Sequence, residues 1–289
     1  MPAPAQLADR EGSRPPGLKP YLKWAGGKRK LVAELLPHLE VGRTRRLVEP
    51  FCGSAAVSLA LHDRFGRFWL NDTNPDVIAV LEALRDNPSA LIEETRELFV
   101  PENNVDTRYY ELRAELNGRP PRSRTALFLY LNRHGYNGLC RYNASGEFNV
   151  PFGRYKNPGA PLEELHAARA LARKAHLTSD DFRAVMVECR KGDTVYCDPP
   201  YVPLSKTASF TKYAVRDFGR ADQEALVEAA VQAAKRGATV VVSNHATEET
   251  RRRYRRAGAH VHEVDVKRSI SCDGSNRAVV REVIAVFRA

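Results

Sequence analysis

The β-prone run Thr194-Val195-Tyr196-Cys197 leads directly into Asp198-Pro199-Pro200-Tyr201, and no other stretch limits the possible folds as strongly. A strand has to end there, because two successive prolines remove backbone donors, fix φ and keep the preceding residues out of helical geometry. The turn is therefore stiff. It carries a carboxylate at its start, carbonyls left to accept hydrogen bonds, and the flat ring of Tyr201 beside them. This set suits a planar heterocycle with an exocyclic amino group, held through its N–H bonds and stacked on the ring. Adenine and cytosine both fit that description.

A carboxylate at a strand tip becomes part of a site when other strands end beside it. The stretch from Arg46 to Ala56 reads as a short buried strand (Leu47-Val48-Glu49), a turn (Pro50-Phe51-Cys52-Gly53-Ser54) and a helix running on through Val57, Leu59 and Leu61. That is the opening β-turn-α of a doubly wound sheet, which binds a nucleoside in the crevice beyond the strand's carboxyl end. A second strand, Arg67-Phe68-Trp69-Leu70, ends in Asn71-Asp72. Asp72 lies near the spacing at which an acidic side chain meets ribose hydroxyls in such folds. The turn lacks the G-x-G-x-x-G pattern, so a nucleoside cofactor without a pyrophosphate fits better than a dinucleotide. Upstream, Gly26-Gly27-Lys28 precedes the helically spaced Leu31, Val32, Leu35, Leu36 and Leu39. Freed backbone amides beside Lys28 suit a carboxylate or phosphate; a plain helix start with a solvated basic turn is the alternative.

Residues 1–18 read as a disordered tail. Apolar residues then recur at helical spacing over 75–86, 88–99, 107–116 and 123–132 with no strand between them. This interrupts the β-α alternation, so residues 75–161 read as an inserted, mostly helical domain between catalytic segments 19–74 and 162–289. Its exit, from Asn132 to Lys156, alternates Tyr, Asn and Arg with glycine, which predicts a β-hairpin with an exposed polar and aromatic tip. Asn and Arg can read base edges and an exposed Tyr can wedge between bases, while local packing of the tyrosines is the competing reading. Further on, residues 161–176 predict a helix, and residues 202–213 a flexible segment able to close over a bound base. A helix over 222–236, the strand Thr239-Val240-Val241-Val242-Ser243-Asn244 and a helix over 248–256 follow. Two final strands near 260–270 and 279–287, joined by Asp273-Gly274-Ser275-Asn276, make an antiparallel hairpin at the sheet's edge. His260 and His262 share a strand face with no evident third ligand and read as structural.

The charge balance favours a polyanionic partner: Lys and Arg outnumber Asp and Glu 45 to 35, for a net charge of +10. The run Arg251-Arg252-Arg253-Tyr254-Arg255-Arg256 reads as a solvated helix face rather than a groove binder. Five cysteines (Cys52, Cys140, Cys189, Cys197, Cys272) form no C-x-x-C pair and have no companion histidine cluster. Reduced thiols are the simplest reading, and neither a metal site nor a disulfide framework is expected. No apolar run approaches the roughly 20 residues of a membrane span, and no signal-peptide layout opens the chain, which points to the cytoplasm.

Several motifs in one order make a specific resemblance. Lys23-Trp24-Ala25-Gly26-Gly27-Lys28, Glu49-Pro50-Phe51-Cys52-Gly53, Asn137-Gly138-Leu139-Cys140-Arg141-Tyr142-Asn143, Phe148-Asn149-Val150-Pro151-Phe152-Gly153-Arg154-Tyr155 and Asp198-Pro199-Pro200-Tyr201 follow one another as in Dam-type DNA adenine-N6 methyltransferases. Phe210-Thr211-Lys212-Tyr213 and Arg268-Ser269-Ile270-Ser271 extend the similarity, which runs from about Tyr21 to the C-terminus. Two departures stand out: Ala55 where many relatives have a second glycine, and His134 where the Dam branch often has Tyr. The resemblance implies a Rossmann-like S-adenosylmethionine methyltransferase sheet, double-stranded DNA as substrate and GATC as target. It also implies that Trp24, Lys28, Glu49, Phe51, Gly53, Asp72 and Asp198 line the cofactor site, and that Lys23, Tyr136, Asn137, Arg141, Pro151 and Tyr155 contact DNA. For Arg141, a bidentate bond to guanine is the natural role.

The chemistry implied is direct methyl transfer, with Asp198, Pro199, Pro200 and Tyr201 as the catalytic set. Asp198 and the Pro199 carbonyl would accept from the adenine amine, favour its pyramidal form and stabilise the positive charge developing on it. A cytosine-C5 route needs a cysteine nucleophile, usually after Pro, and the chain has no Pro-Cys pair. The rival readings are a cytosine-N4 or RNA adenine methyltransferase, whose families use Ser or Asn at the position of Asp198, and a DNA-binding relative that has lost catalysis.

Overall fold

The computed structural model describes residues 17–24, 26–201, 218–267 and 279–289. Seven strands form one sheet: β1 (Gly42–Glu49), β2 (Phe65–Asn71), β3 (Ala175–Thr178), β4 (Asp193–Cys197), β5 (Thr239–His245), β6 (His260–Lys267) and β7 (Val279–Phe287), in the order β3-β2-β1-β4-β5-β7-β6. β1 to β5 run parallel, while β7 lies antiparallel to both β5 and β6. From β1 the chain steps outward through β2 and β3, then returns to β4 on the other side of β1. The crevice of this doubly wound α/β sheet thus opens past the carboxyl ends of β1 and β4, where the strand order reverses.

Side-chain alternation sorts the strands' residues onto two faces. Leu47, Phe68, Leu70, Tyr196, Val241 and Ile284 join one buried cluster, and Val48, Trp69, Val195, Val240, Val242 and Val283 join the other. The second face is covered by α8 (Phe182–Glu188), α9 (Arg220–Lys235) and α10 (Glu248–Arg256). The first face takes the short α1 (Val32–Leu35) and α2 (Ala56–Ala60), followed by α3 (Pro75–Asp86), α4 (Pro88–Leu98), α5 (Asp106–Asn117), α6 (Thr125–His134) and α7 (Leu162–Ala172). α3 and α4 start as their sequences require, with proline in the first turn and the side chains of Asn74 and Asn87 accepting from the N–H of Asp76 and Ala90. Residues 75–161 share one continuous apolar cluster with the sheet.

Several elements differ from the sequence reading. The helix expected over 161–176 stops at Ala172, because Ala175–Thr178 pairs with Phe68–Asn71 as edge strand β3. Neither β3 nor the seven-residue α8 is long enough to display a period. The expected hairpin between Asn132 and Lys156 is a bridged loop rather than a ladder: Gly135 pairs with Phe152 and Tyr142 with Phe148, as isolated bridges. Asn137 and Gly138 both adopt left-handed φ (52° and 62°), which no strand accommodates. Of the expected tail, Gly17 and Leu18 lie against the chain, with the Leu18 N–H bonded to the Leu59 carbonyl. Residues 1–16, the proposed closing segment 202–213, the turn 273–276, Cys272 and the motifs at 210–213 and 268–271 lie outside the described residues.

One ion pair fastens the start of α6 to the first turn of α3. Asp76, in the first turn of α3 and 1% exposed, takes both prongs of Arg124 (Nε–Oδ1 2.6 Å, Nη2–Oδ2 2.8 Å). Arg124 Nη1 also donates to the Leu116 and Arg119 carbonyls at the end of α5, and the Tyr142 hydroxyl donates to Asp76 Oδ2. Removing one partner leaves the other buried and uncompensated. Arg124→Met is therefore expected to cost about 3–5 kcal/mol in urea unfolding, and a loss of less than about 1 kcal/mol would mean that Asp76 is solvated or re-paired.

Candidate active site

The ends of β1 and β2 are locked to each other. The fully buried Asn71 donates from Nδ2 to the carbonyls of Pro50 and Asp180 (both 2.9 Å), and its Oδ1 accepts from the Asp180 N–H and the Thr178 hydroxyl. The next residue, Asp72, accepts from the Gly53 N–H (2.8 Å) and the Asn74 N–H (2.9 Å). Burial raises its carboxyl pKa against those two bonds. Two left-handed residues, Gly53 (φ 47°) and Ala55 (φ 52°), shape the turn after β1. The indole of Trp24 lies so close to this turn that a Cβ at position 53 would come within 2.6 Å of its Nε1. Ala55 thus adopts, as an alanine, the conformation glycine favours. Phe51 packs against Phe182 and Phe218, at ring-centroid distances of 5.2 and 5.6 Å. Glu49 sits beneath the turn, 2% exposed, its Oε1 accepting from the N–H and hydroxyl of Ser58.

Across the crevice, strand alternation gathers a charged cluster. Asp198, Ser243 and Glu282 each lie two residues from a core residue (Tyr196, Val241 and Ile284) on the face of the sheet that carries the inserted helices. Asp198 Oδ1 accepts from the Ser243 hydroxyl (3.0 Å) and lies 3.2 Å from Lys28 Nζ. That ammonium, on a side chain 8% exposed, also reaches Glu282 Oε1 (3.8 Å), donates to the Gly26 carbonyl and sits 4.5 Å above the centre of the Tyr201 ring. Tyr201 donates from its hydroxyl to Glu282 Oε2 (3.1 Å) and meets His245 edge to face. Burial first, then Asp198 and Glu282, push the Tyr201 phenol well above its usual pKa, so it stays a donor. The two prolines differ: Gln223 donates to the Pro200 carbonyl (3.0 Å), while the Pro199 carbonyl accepts no hydrogen bond among the described residues.

The residues proposed to meet DNA cluster on the bridged loop, where Lys23 joins them from the segment before Lys28. Lys23 is tied in through its backbone N–H and carbonyl to the Asn132 amide, and its Nζ donates to the Arg133 carbonyl and lies 4.2 Å from the centre of the Tyr155 ring. Burial and Arg133 lower its pKa. Gly138 abuts the Lys23 side chain so closely that a Cβ there would lie 2.4 Å from Lys23 Cβ. Tyr136 is 46% exposed, Pro151 is exposed, and the Asn137 N–H donates to the Tyr155 hydroxyl (2.9 Å). Arg141 donates from Nε to Asn149 Oδ1 (2.8 Å) and from Nη2 to the Asn149 carbonyl (3.2 Å). His134 faces inward, stacked on Tyr130 with Nδ1 2.9 Å from the Tyr130 carbonyl. Burial, with Lys23 adding, lowers its pKa to about 4.

Four site residues escaped sequence reasoning: Asn71, Gln223, Ser243 and Glu282. A weak signal existed for two of them. Ser243 closes an otherwise apolar run at a strand's carboxyl end, and Glu282 occupies an inward position in the strand Val279–Phe287. The four described cysteines (Cys52, Cys140, Cys189 and Cys197) are buried and free. Among the described residues no helix is long and apolar enough to cross a membrane, and no group of His, Cys, Asp or Glu is placed to hold a metal ion.

Against known proteins, a family model described as D12 class N6 adenine-specific DNA methyltransferase matches residues 24–270. Curated relatives named DNA adenine methylase include that of Escherichia coli (strain K12), 44% identical over 93% of this chain and 95% of its own length. That of Vibrio cholerae serotype O1 is 44% identical over 92% and 95%, and that of Serratia marcescens 43% over 93% and 98%.

Glu49 generates a pH prediction. Burial pushes its carboxyl up to about 7, with Asp198 adding and the Ser58 bonds opposing. Since the folded state then holds a proton that the unfolded chain gives up near pH 4.5, stability attributable to Glu49 falls as pH rises from about 4.5 to about 7. Glu49→Gln keeps an acceptor for Ser58 and removes the titration. Relative to wild type, it is expected to gain about 2–3 kcal/mol in urea unfolding between pH 5 and pH 8. An offset independent of pH would place Glu49's ionisation in the ordinary range.

Proposed function

The chain belongs to the D12 class of N6 adenine-specific DNA methyltransferases, and from that membership we propose that it methylates adenine N6 within GATC in double-stranded DNA, with S-adenosylmethionine as donor. The observation that carries the reading is Asp198 at the switch point, beside a proline carbonyl that accepts no hydrogen bond among the described residues and an oriented tyrosine ring. The rim of the crevice fits the donor. Asp72 offers a carboxylate to ribose hydroxyls, Phe51 and Trp24 offer aromatic surface, and Asn74 keeps a buried Nδ2 with no partner among the described residues. Glu49, held by Ser58, supports the turn from beneath. When bound, S-adenosylmethionine supplies a methyl group activated on a sulfonium.

The chain's own residues do the rest. An adenine amine is a poor nucleophile because its lone pair is conjugated with the ring. Accepting both N–H bonds at Asp198 and the Pro199 carbonyl weakens that conjugation and stabilises the positive charge that develops on nitrogen. Lys28 and Ser243 hold the carboxylate in place before the base arrives. The base has to leave the helix, at a cost of a few kcal/mol, which stacking on Tyr201 and a wedge from the exposed Tyr136 partly offset. Lys23, Asn137, Pro151 and Tyr155 form the surface around that wedge. Arg141 is presented in one orientation: its Nε/Nη2 edge is taken by Asn149, leaving the outer Nη1/Nη2 pair for guanine O6 and N7.

Plasmid DNA treated with the enzyme should resist or admit GATC-directed nucleases according to their sensitivity to adenine methylation, and an unchanged digestion pattern would rule out GATC. Asp198→Ala is expected to lower kcat by about 10²–10³ or more while leaving the Kd for a GATC duplex nearly unchanged, and near-full turnover would remove Asp198 from the chemistry. Arg141→Ala is expected to cost about 1–3 kcal/mol in kcat/KM and to relax discrimination at one guanine of the site. Equal losses on every singly substituted duplex, with a shallower salt dependence, would instead make Arg141 a phosphate clamp.

A further inference from the structure

Glu282 belongs to no motif of the site, yet it touches two of its parts. It lies on β7, paired across the ladder with His245 of β5 and Val264 of β6, and is 4% exposed. Its strand neighbours Val283, Ile284 and Ala285 are fully buried and apolar. Burying a carboxylate at this end of an apolar strand is costly until it is paired, and an apolar residue of similar volume is often as good for stability or better. The charge therefore calls for another explanation. One carboxylate oxygen accepts from the Tyr201 hydroxyl at 3.1 Å, and the other faces Lys28 Nζ at 3.8 Å. The same ammonium lies over the Tyr201 ring and 3.2 Å from Asp198.

We propose that Glu282 is a positioning residue for methyl transfer, fixing the plane of the Tyr201 ring through its hydroxyl and drawing Lys28 off Asp198. The first action restricts rotation of the ring on which the target base stacks. The second sets how much of the Asp198 carboxylate is left for the adenine amine: an ammonium shared between two carboxylates binds each less tightly than one committed to Asp198 alone. Because Glu282 acts through Tyr201 and Lys28, its loss should slow the transfer step more than it weakens binding. This inference rests on the reading that Tyr201 stacks on the flipped adenine.

The test is a double-mutant cycle in the full-length protein, pairing Glu282→Ala and Glu282→Gln with Tyr201→Phe. Single-turnover methylation of a GATC duplex is measured together with DNA affinity, and 2-aminopurine at the target position reports the extruded base. Glu282→Ala is expected to slow transfer roughly ten-fold or more with DNA affinity within about two-fold, and to alter the 2-aminopurine signal. Glu282→Gln, whose amide oxygen can still accept from the phenol, is expected to restore that signal and part of the rate. In the Tyr201→Phe background Glu282→Ala should cost at least about three-fold less than in wild type, because the shared hydrogen bond is already gone and only the effect through Lys28 remains. Equal costs in both backgrounds, or a wild-type rate for Glu282→Ala, would overturn the proposal. If Glu282→Ala does not fold, the cycle with Glu282→Gln decides, with additivity counting against the proposal. Failure of the underlying reading looks different: Tyr201→Ala would then leave both the rate and the 2-aminopurine signal as in wild type.

Discussion

One ammonium, that of Lys28, lies between the carboxylates of Asp198, just after β4, and Glu282 of β7, and above the ring of Tyr201. It stands at the start of the 3-10 turn Lys28–Leu31, so the site closes only when segments far apart in the sequence meet. Two carboxylates at this distance would repel each other and resist burial without it; the ammonium alone would be as costly. The cluster is thus held by mutual need rather than by a large net gain in stability. Ser243 takes up a further acceptor position on Asp198, and the Tyr196 hydroxyl lies 2.9 Å from Ser243, extending the network into the core.

The opposite wall is built with backbone instead of charge. Asn71 spends its amide on joining β1, β2 and the segment after β3, and Asp72 spends one acceptor position per oxygen on the turn and on the start of α3. A carboxylate accepting two N–H bonds keeps further lone pairs for a ligand. The left-handed conformation at Gly53 and Ala55 keeps the turn low, and the Trp24 indole occupies the space that any side chain at 53 would need. Strain at Ala55 is the sort of local cost that surrounding structure has to over-determine, and here Cys52, Asn71 and Asp72 bracket the turn with hydrogen bonds.

Much of this was legible in the sequence because the signals were local. The runs at 46–49, 67–70, 194–197 and 239–244 are strands that end at polar or proline residues, and each ends at the crevice. α10 and β7 coincide with their periodic patterns. The illegible parts needed partners distant in sequence. β3 has one strongly buried residue, Ala175, and exists because β2 offers it an edge. Glu282 looks like any strand carboxylate until β5 sets it opposite His245, within reach of Tyr201. The alternation after α6 predicts a hairpin, but Asn137 and Gly138 turn left-handed. Asn149 accepts from Arg141, Asp76 from the Tyr142 hydroxyl and the Tyr155 hydroxyl from the Asn137 N–H, where a regular ladder would have paired backbone with backbone.

That last difference bears on how base reading and chemistry could share one fold. The loop is moored at both ends: near its base by Asn132, which bonds Lys23 and the Gly138 carbonyl, and near its tip by Tyr142, which bonds Asp76. Asp76 is four residues from Asp72, and the turn between them is held by Asn74 capping α3 and by the Asp72 side chain itself. Lys23 is likewise five residues from Lys28. The loop proposed to meet DNA is therefore joined to both walls of the crevice through short, hydrogen-bonded segments and a shared apolar cluster. A free hairpin on a separate domain would have to pay the entropy of ordering when DNA arrives; here most of that ordering is already present in the protein alone.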